Sequence, residues 1–106
     1  MGIYIGMTPF EVLAEPHRRA ILDLLRGGEQ PAGALVAALA ISQPGVSKHL
    51  RTLREAGLVR VEARGQQRVY RLAGENLAEV DAWLAPYRQF WAGRLDALDR
   101  HLEAEQ

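Results

Sequence analysis

The apolar residues in the second half of the chain change period twice. Val46, Leu50 and Leu53 are spaced four and three apart, as on one face of a helix. From Leu58 the pattern becomes Leu58-Val-Arg-Val-Glu-Ala63, apolar alternating with charged, as in a half-exposed strand. Arg64-Gly65-Gln66 reads as a turn and Gln67-Arg-Val-Tyr-Arg-Leu72 as the return strand. Leu77, Val80, Leu84, Tyr87, Trp91, Leu95, Leu98 and Leu102 then restore steps of three and four. A period-two segment lodged between helical ones excludes a plain helical bundle. Two strands alone are marginal in water, so the hairpin must lie against helices.

Punctuation residues place the remaining elements. Thr8-Pro9-Phe10-Glu11 combines an N-cap, a proline at the first helical position and a capping-box glutamate. That helix stops before Pro16, because a residue preceding proline avoids helical geometry. Pro16 opens a second helix carrying Ile21, Leu22, Leu24 and Leu25, and Gly27-Gly28 ends it. Residues 31–39 form a short helix of small residues, and Ile41 packs at the turn that follows. Ser42 caps a helix from Gln43 to about Ala56, with Pro44 in its first turn and Gly57 as its stop. Pro86 lacks an amide proton and is expected to kink or split the last helix. The fold class is mainly α with a β-hairpin wing (α+β), in the order α-α-α-α-β-β-α. The 106 residues fit one domain. Residues 1–7 are an N-terminal extension, 31–56 a helix-turn-helix, 58–72 the wing, and 75–104 the terminal helix or helices.

Composition excludes several chemistries. Cysteine is absent, so disulfides, thiolate metal sites and thiol redox switching are excluded, and three histidines are the only nitrogen ligands. No apolar run approaches the ~18 residues of a membrane span, and Met1-Gly-Ile-Tyr-Ile-Gly6 lacks the features of a secretory signal. A soluble cytoplasmic protein without a membrane partner is expected. No nucleophile–base–acid set and no glycine-rich phosphate loop is present, so an enzyme is not expected and no cofactor is assigned. The formal charge is zero, but unevenly distributed: residues 1–42 sum to −1, residues 43–71 to +5 and residues 72–106 to −4. Twelve of the thirteen cations are arginine, whose planar fork of donors suits phosphates and guanine edges.

The basic segment coincides with the helix-turn-helix and its wing. If Val46, Leu50 and Leu53 point inward, Gln43, Pro44, Ser47, Lys48 and Arg51 project outward. Short hydrogen-bonding side chains mixed with cations are what major-groove reading requires. Arg54 and the capped helix start can hold the DNA backbone, and Arg64 and Arg68 flank the wing turn, within reach of a minor groove or phosphates. Double-stranded DNA is the expected partner. Arg64→Ala is then expected to lower the salt dependence of binding by about one counterion. The alternative is a winged-helix module that assembles proteins without binding DNA. Such a surface would want exposed aromatic or aliphatic anchors.

Four stretches carry a resemblance to a known family: Leu13-Ala-Glu-Pro-His-Arg-Arg-Ala-Ile-Leu22, Ile41-Ser-Gln-Pro-Gly-Val-Ser-Lys-His-Leu50, Leu53-Arg-Glu-Ala-Gly-Leu-Val59 and Gly65 with Tyr70-Arg-Leu72. Together they resemble the ArsR (ArsR/SmtB) family of bacterial winged-helix repressors, over about residues 8–104. The resemblance implies a homodimer on a palindromic operator, released by an effector. It maps recognition-helix roles onto Ser42, Gln43, Ser47, Lys48, His49 and Arg51. Gly45 stands where the family more often has alanine. Metal- and persulfide-sensing members rely on cysteines that this chain lacks, so any effector is non-thiol. Asp99-Arg-His101, with Glu105 one turn on, matches only the first half of a second family metal site, and no metal is assigned.

His49, beside the inward Leu50, is placed on the DNA side, and His17 is structural or exposed. Leu77, Val80, Leu84, Tyr87, Trp91, Leu95, Leu98 and Leu102 are read as the dimer interface. Trp83, Tyr87, Phe90 and Trp91 put four of the seven aromatics within nine residues. They read as interface core or as the wall of a pocket for an unidentified small-molecule effector between two copies.

Overall fold

A computed structural model describes residues 7–104. The first helix, α1 (Pro9–Leu13), starts from the expected capping box: the Thr8 hydroxyl accepts from the Glu11 N–H at 3.2 Å, and Glu11 Oε1 accepts from the Thr8 N–H at 3.3 Å. Helix α2 (Pro16–Arg26) is capped by Glu15, whose Oε2 accepts from the Arg18 N–H at 2.9 Å. Arg18 and Arg19 turn back to donate to the carbonyls of Val12 and Leu13 at 2.8 and 2.7 Å, satisfying the open end of α1.

Next comes an element that the sequence pattern does not announce. Gln30–Pro31 forms a two-residue strand, β1, before α3 (Ala32–Ala38). It pairs antiparallel with the second wing strand, Gln30 opposite Tyr70 and Pro31 opposite Val69. Proline is tolerated there because β1 is an edge strand. Helix α4 (Gln43–Glu55) follows, with the Ser42 hydroxyl accepting from the Gly45 N–H at 3.2 Å. Strands β2 (Val59–Arg64) and β3 (Gln67–Leu72) form the wing, in register from Val59–Leu72 to Arg64–Gln67. Gly65 takes the positive φ of +61° that opens this two-residue loop. The sheet is thus three-stranded, in the order β1-β3-β2, with the central strand covered on both edges.

The core joins α1, α2, α3, α4 and the sheet. Val12, Ile21, Leu25, Leu35, Val46, Leu50, Leu53, Leu58 and Val59 are each at most 3% exposed. Burying one such side chain contributes on the order of 1.5–3 kcal/mol. The three apolar residues of α4 face this core, so Gln43, Pro44, Ser47, Lys48, Arg51 and Arg54 are left on its open side.

A 3-10 turn (Gly74–Leu77), unforeseen from the sequence, leads into α5 (Ala78–Ala104). The expected split at Pro86 does not occur, and the helix runs through the proline as a single element. Proline removes one backbone donor there. Arg88 brackets the position, donating to the Asp81 carbonyl at 3.2 Å and pairing with its carboxylate at 2.8 Å. Among the described residues, no helix is long and apolar enough to cross a membrane.

Candidate nucleic-acid interface

Two elements build the basic surface. Helix α4 contributes Gln43, Ser47, Arg51 and Arg54, and the wing contributes Gln66 and Arg68. All six side chains line one cleft, with Ala32, Leu50 and Tyr70 forming its floor. The sequence predicts both faces separately, and the sheet register brings them together. Gln67 pairs with Arg64, so the wing tip lies at the far end of a strand whose base packs on α4. Ser42 is committed to capping the helix, and Lys48 is exposed one position from Ser47. Gly45 does not open onto the cleft. A Cβ there would meet the Ser42 hydroxyl at 3.3 Å and Ile41 Cδ1 at 3.6 Å.

Two of the residues expected on the DNA side are engaged within the chain. Arg64 is held by carboxylates: both oxygens of Glu29 accept from its guanidinium, and Glu62 Oε2 accepts from Nε at 2.8 Å and contacts Nη2 at 2.6 Å. These contacts push the arginine further toward its charged form, and the Arg64 hydrogen bond holds the Glu29 carboxyl below its ordinary range. The wing still presents Arg68 as an open cation on the cleft, while Arg64 ties the wing to the α2–β1 loop. No sequence period marks Glu29 as a partner for a residue thirty-five positions on.

His49 is the second. Its side chain is 18% exposed and lies against the start of α2, away from the cleft. The ring stacks on His17 with centroids 5.7 Å apart and planes 15° off parallel. Its Nε2 is 3.8 Å from Glu15 Oε2, beyond hydrogen-bond range, and its buried Nδ1 has no partner among the described residues. Burial pushes the His49 imidazole toward its neutral form, against the upward pull of Glu15. The physical reason for the placement is angular. His49 adjoins the inward Leu50, and the Pro16 turn comes close enough to cover that flank.

Asn76 and Glu15 are residues whose roles the sequence does not show. Asn76 Nδ2 donates to the Ala56 carbonyl at 3.1 Å, joining the end of α4 to the turn before α5. Gly57 makes this possible, with φ +76° and no Cβ; a Cβ would sit 2.1 Å from Asn76 Nδ2. The glycine stop is legible in sequence, but its close neighbour is not.

The interface stripe on α5 divides in two. Leu77, Val80 and Leu84 are half-buried against the chain itself. Tyr87, Trp91, Leu95, Leu98 and Leu102 are 45–61% exposed. Trp83 meets Phe10 of α1 edge-on at 5.9 Å and Tyr87 at 4.9 Å, so the aromatic cluster begins on an intramolecular contact. Arg94 lies 4.8 Å over the Phe90 ring. Glu105 of the tail lies outside the described residues, as do residues 1–6 of the N-terminal extension.

Comparison with known proteins places this geometry. A helix-turn-helix domain family model matches residues 13–62. The transcriptional repressor SdpR of Bacillus subtilis is 36% identical over 75 residues, covering 71% of this chain and 83% of that protein. The crystal structure of a possible transcriptional regulator for arsenical resistance superposes with a TM-score of 0.69 at 41% identity, over 87% of this chain and 93% of the other. The solution structure of a homodimeric winged helix-turn-helix DNA-binding domain from Mycobacterium bovis, a possible ArsR-family regulator, gives a TM-score of 0.61 at 32% identity, over 76% and 74% of the two chains. The relatives are transcriptional regulators and not enzymes. A buried core of four helices and the sheet, a short helix-turn-helix, a wing and these relatives all converge: the chain belongs to the ArsR/SmtB family of winged helix-turn-helix transcriptional regulators.

Proposed function

We propose that this chain is a homodimeric repressor that reads a palindromic operator with α4 and the wing. The observation that carries the reading is the single cleft lined by Gln43, Ser47, Arg51, Arg54, Gln66 and Arg68. Gln43, Ser47 and Arg51 are suited to base edges, and Lys48, Arg54 and Arg68 to phosphates. Ser42 and Pro44 set the helix start, whose free amides favour a phosphate. His49 acts from behind the helix, and Arg64 steadies the wing. The exposed Tyr87, Trp91, Leu95, Leu98 and Leu102 supply the dimer surface, as an apolar face of this length on a water-soluble helix requires. Two copies place two recognition helices on successive turns of one duplex face.

Release falls to an unidentified non-thiol effector, for which the α5 aromatics between two copies offer an apolar site. Acting on chromosomal DNA places the protein in the cytoplasm. The rival reading, a protein-assembly module, is disfavoured by the cleft itself, whose rim is glutamine, serine and arginine and not apolar anchors. The test is a gel shift at stated salt on DNA upstream of the chain's own gene. Specific retardation is expected, and Arg51→Ala should weaken it by about 1–3 kcal/mol. Equal binding by the wild type and the variant would remove α4 from the interface. Light scattering at micromolar concentration should report a dimer.

A further inference from the structure

Glu15, His17 and His49 are drawn together from three places: the residue capping α2, the first turn of α2, and the middle of α4. One ligand atom from each lies within 4.8 Å of the other two. Glu15 Oε1 is 2.8 Å from His17 Nδ1, and Glu15 Oε2 is 3.8 Å from His49 Nε2. Donors around a tetrahedral zinc ion, each ~2.0–2.1 Å from the metal, are about 3.3 Å apart. The two carboxylate separations lie on either side of that value, and rotation of the near-parallel His17 and His49 rings toward Glu15 would close the set.

A second observation points to a missing ligand. His49 is largely buried, and its Nε2, the nitrogen that faces Glu15 at 3.8 Å, holds no hydrogen bond among the described residues. Buried imidazoles ordinarily have partners, and an orphaned one calls for a water or an ion. We infer that Glu15, His17 and His49 form a site for a divalent transition ion such as Zn²⁺, with three protein ligands and the fourth position open on the half-exposed His17 side.

The chemistry of the set fits. Two imidazoles and one carboxylate suit Zn²⁺, Ni²⁺ or Co²⁺ and do not suit Mg²⁺ or Ca²⁺, which prefer oxygen ligands throughout. The site needs no cysteine and is separate from the Asp99/His101 tail. A bound ion would join the first turn of α2 to the α4 helix one position from Lys48, adding a tie that the protein fold alone lacks.

The test uses the full chain after dialysis against a chelator, titrated with Zn²⁺ by calorimetry and with Co²⁺ by visible absorption. One ion per chain is expected, with a rise in melting temperature. His17→Ala, at a half-exposed position, should weaken binding at least about tenfold and abolish the rise, with unchanged circular dichroism. Glu15→Gln retains a capping oxygen and should weaken binding similarly. His101→Ala should bind as the wild type does. Proton resonances of the His17 and His49 rings should broaden with Co²⁺. Absence of binding, or binding lost in His101→Ala and kept in His17→Ala, overturns the site.

Discussion

Helices α4 and α5 carry similar apolar stripes with opposite fates. Val46, Leu50 and Leu53 of α4 are at most 3% exposed, because α2, α3 and the wing surround them. Tyr87, Trp91, Leu95, Leu98 and Leu102 of α5 are about half exposed, because α5 leaves the core after touching α1 and the 3-10 turn. An identical period thus marks a finished core in one helix and an unfinished surface in the other. The difference teaches that amphipathicity specifies a demand for burial and leaves its supplier open.

The largest expected effect separates the two helices directly. Leu53→Ala removes a fully buried side chain and should lower the free energy of unfolding by about 2–5 kcal/mol in chemical denaturation. Trp91→Ala should leave the unfolding of the isolated chain within about 0.5 kcal/mol of wild type. Its effect should appear in sedimentation as a dimer Kd raised tenfold or more. A Trp91→Ala chain as unstable as Leu53→Ala would show that α5 belongs to the same core.

The junction between the two helices comes next. Gly57→Ala combines a positive φ with a Cβ that meets Asn76, so a loss of about 1–3 kcal/mol is expected in thermal unfolding. Asn76→Ala should lose less, since only the bond to Ala56 goes.

Smaller effects distinguish the two wing arginines and the buried histidine. Arg68→Ala should reduce the slope of log binding constant against log salt by about one counterion. Arg64→Ala should change that slope less, because Glu29 and Glu62 already neutralise it, and this revises the expectation from sequence. Equal slopes would mean that DNA displaces the two carboxylates. On acidification, stability should fall in two stages. The His49 value is lowered from 6.5 in the folded chain, so the unfolded chain takes up more protons as pH drops below that value, and stability declines. Glu15, held at about 2 against an ordinary 4.5, adds a second loss as pH falls from 4.5 toward 2. Melting curves should show both stages, and His49→Gln should flatten the upper one and also shrink the lower one, because the His49 charge is among the causes that lower Glu15.

Much of the fold was legible because its signals are local. The Thr8 capping box, the Pro16 start, the Ser42 cap, the Gly57 stop and both wing strands are encoded within a few residues of where they act. The outward face of α4 followed from three inward residues. Strand β1 was not legible, since two residues carry no period and the pairing comes entirely from β3. The continuity of α5 through Pro86 was also beyond local rules, which register the missing donor but not the Arg88–Asp81 bracket.

The sequence by itself determined the order of the helices and the two wing strands, the family and which side of α4 remains open. Periodicity and capping act over one or two turns, and the basic charge is concentrated in one contiguous segment. Only the tertiary structure decided what each charged or titratable group faces. Arg64 meets Glu29 from the α2–β1 loop, His49 meets Glu15 and His17 from the start of α2, and Asn76 meets Ala56 at the end of α4. Each partner lies twenty or more positions away, where the meeting is fixed by packing and no period in the chain records it.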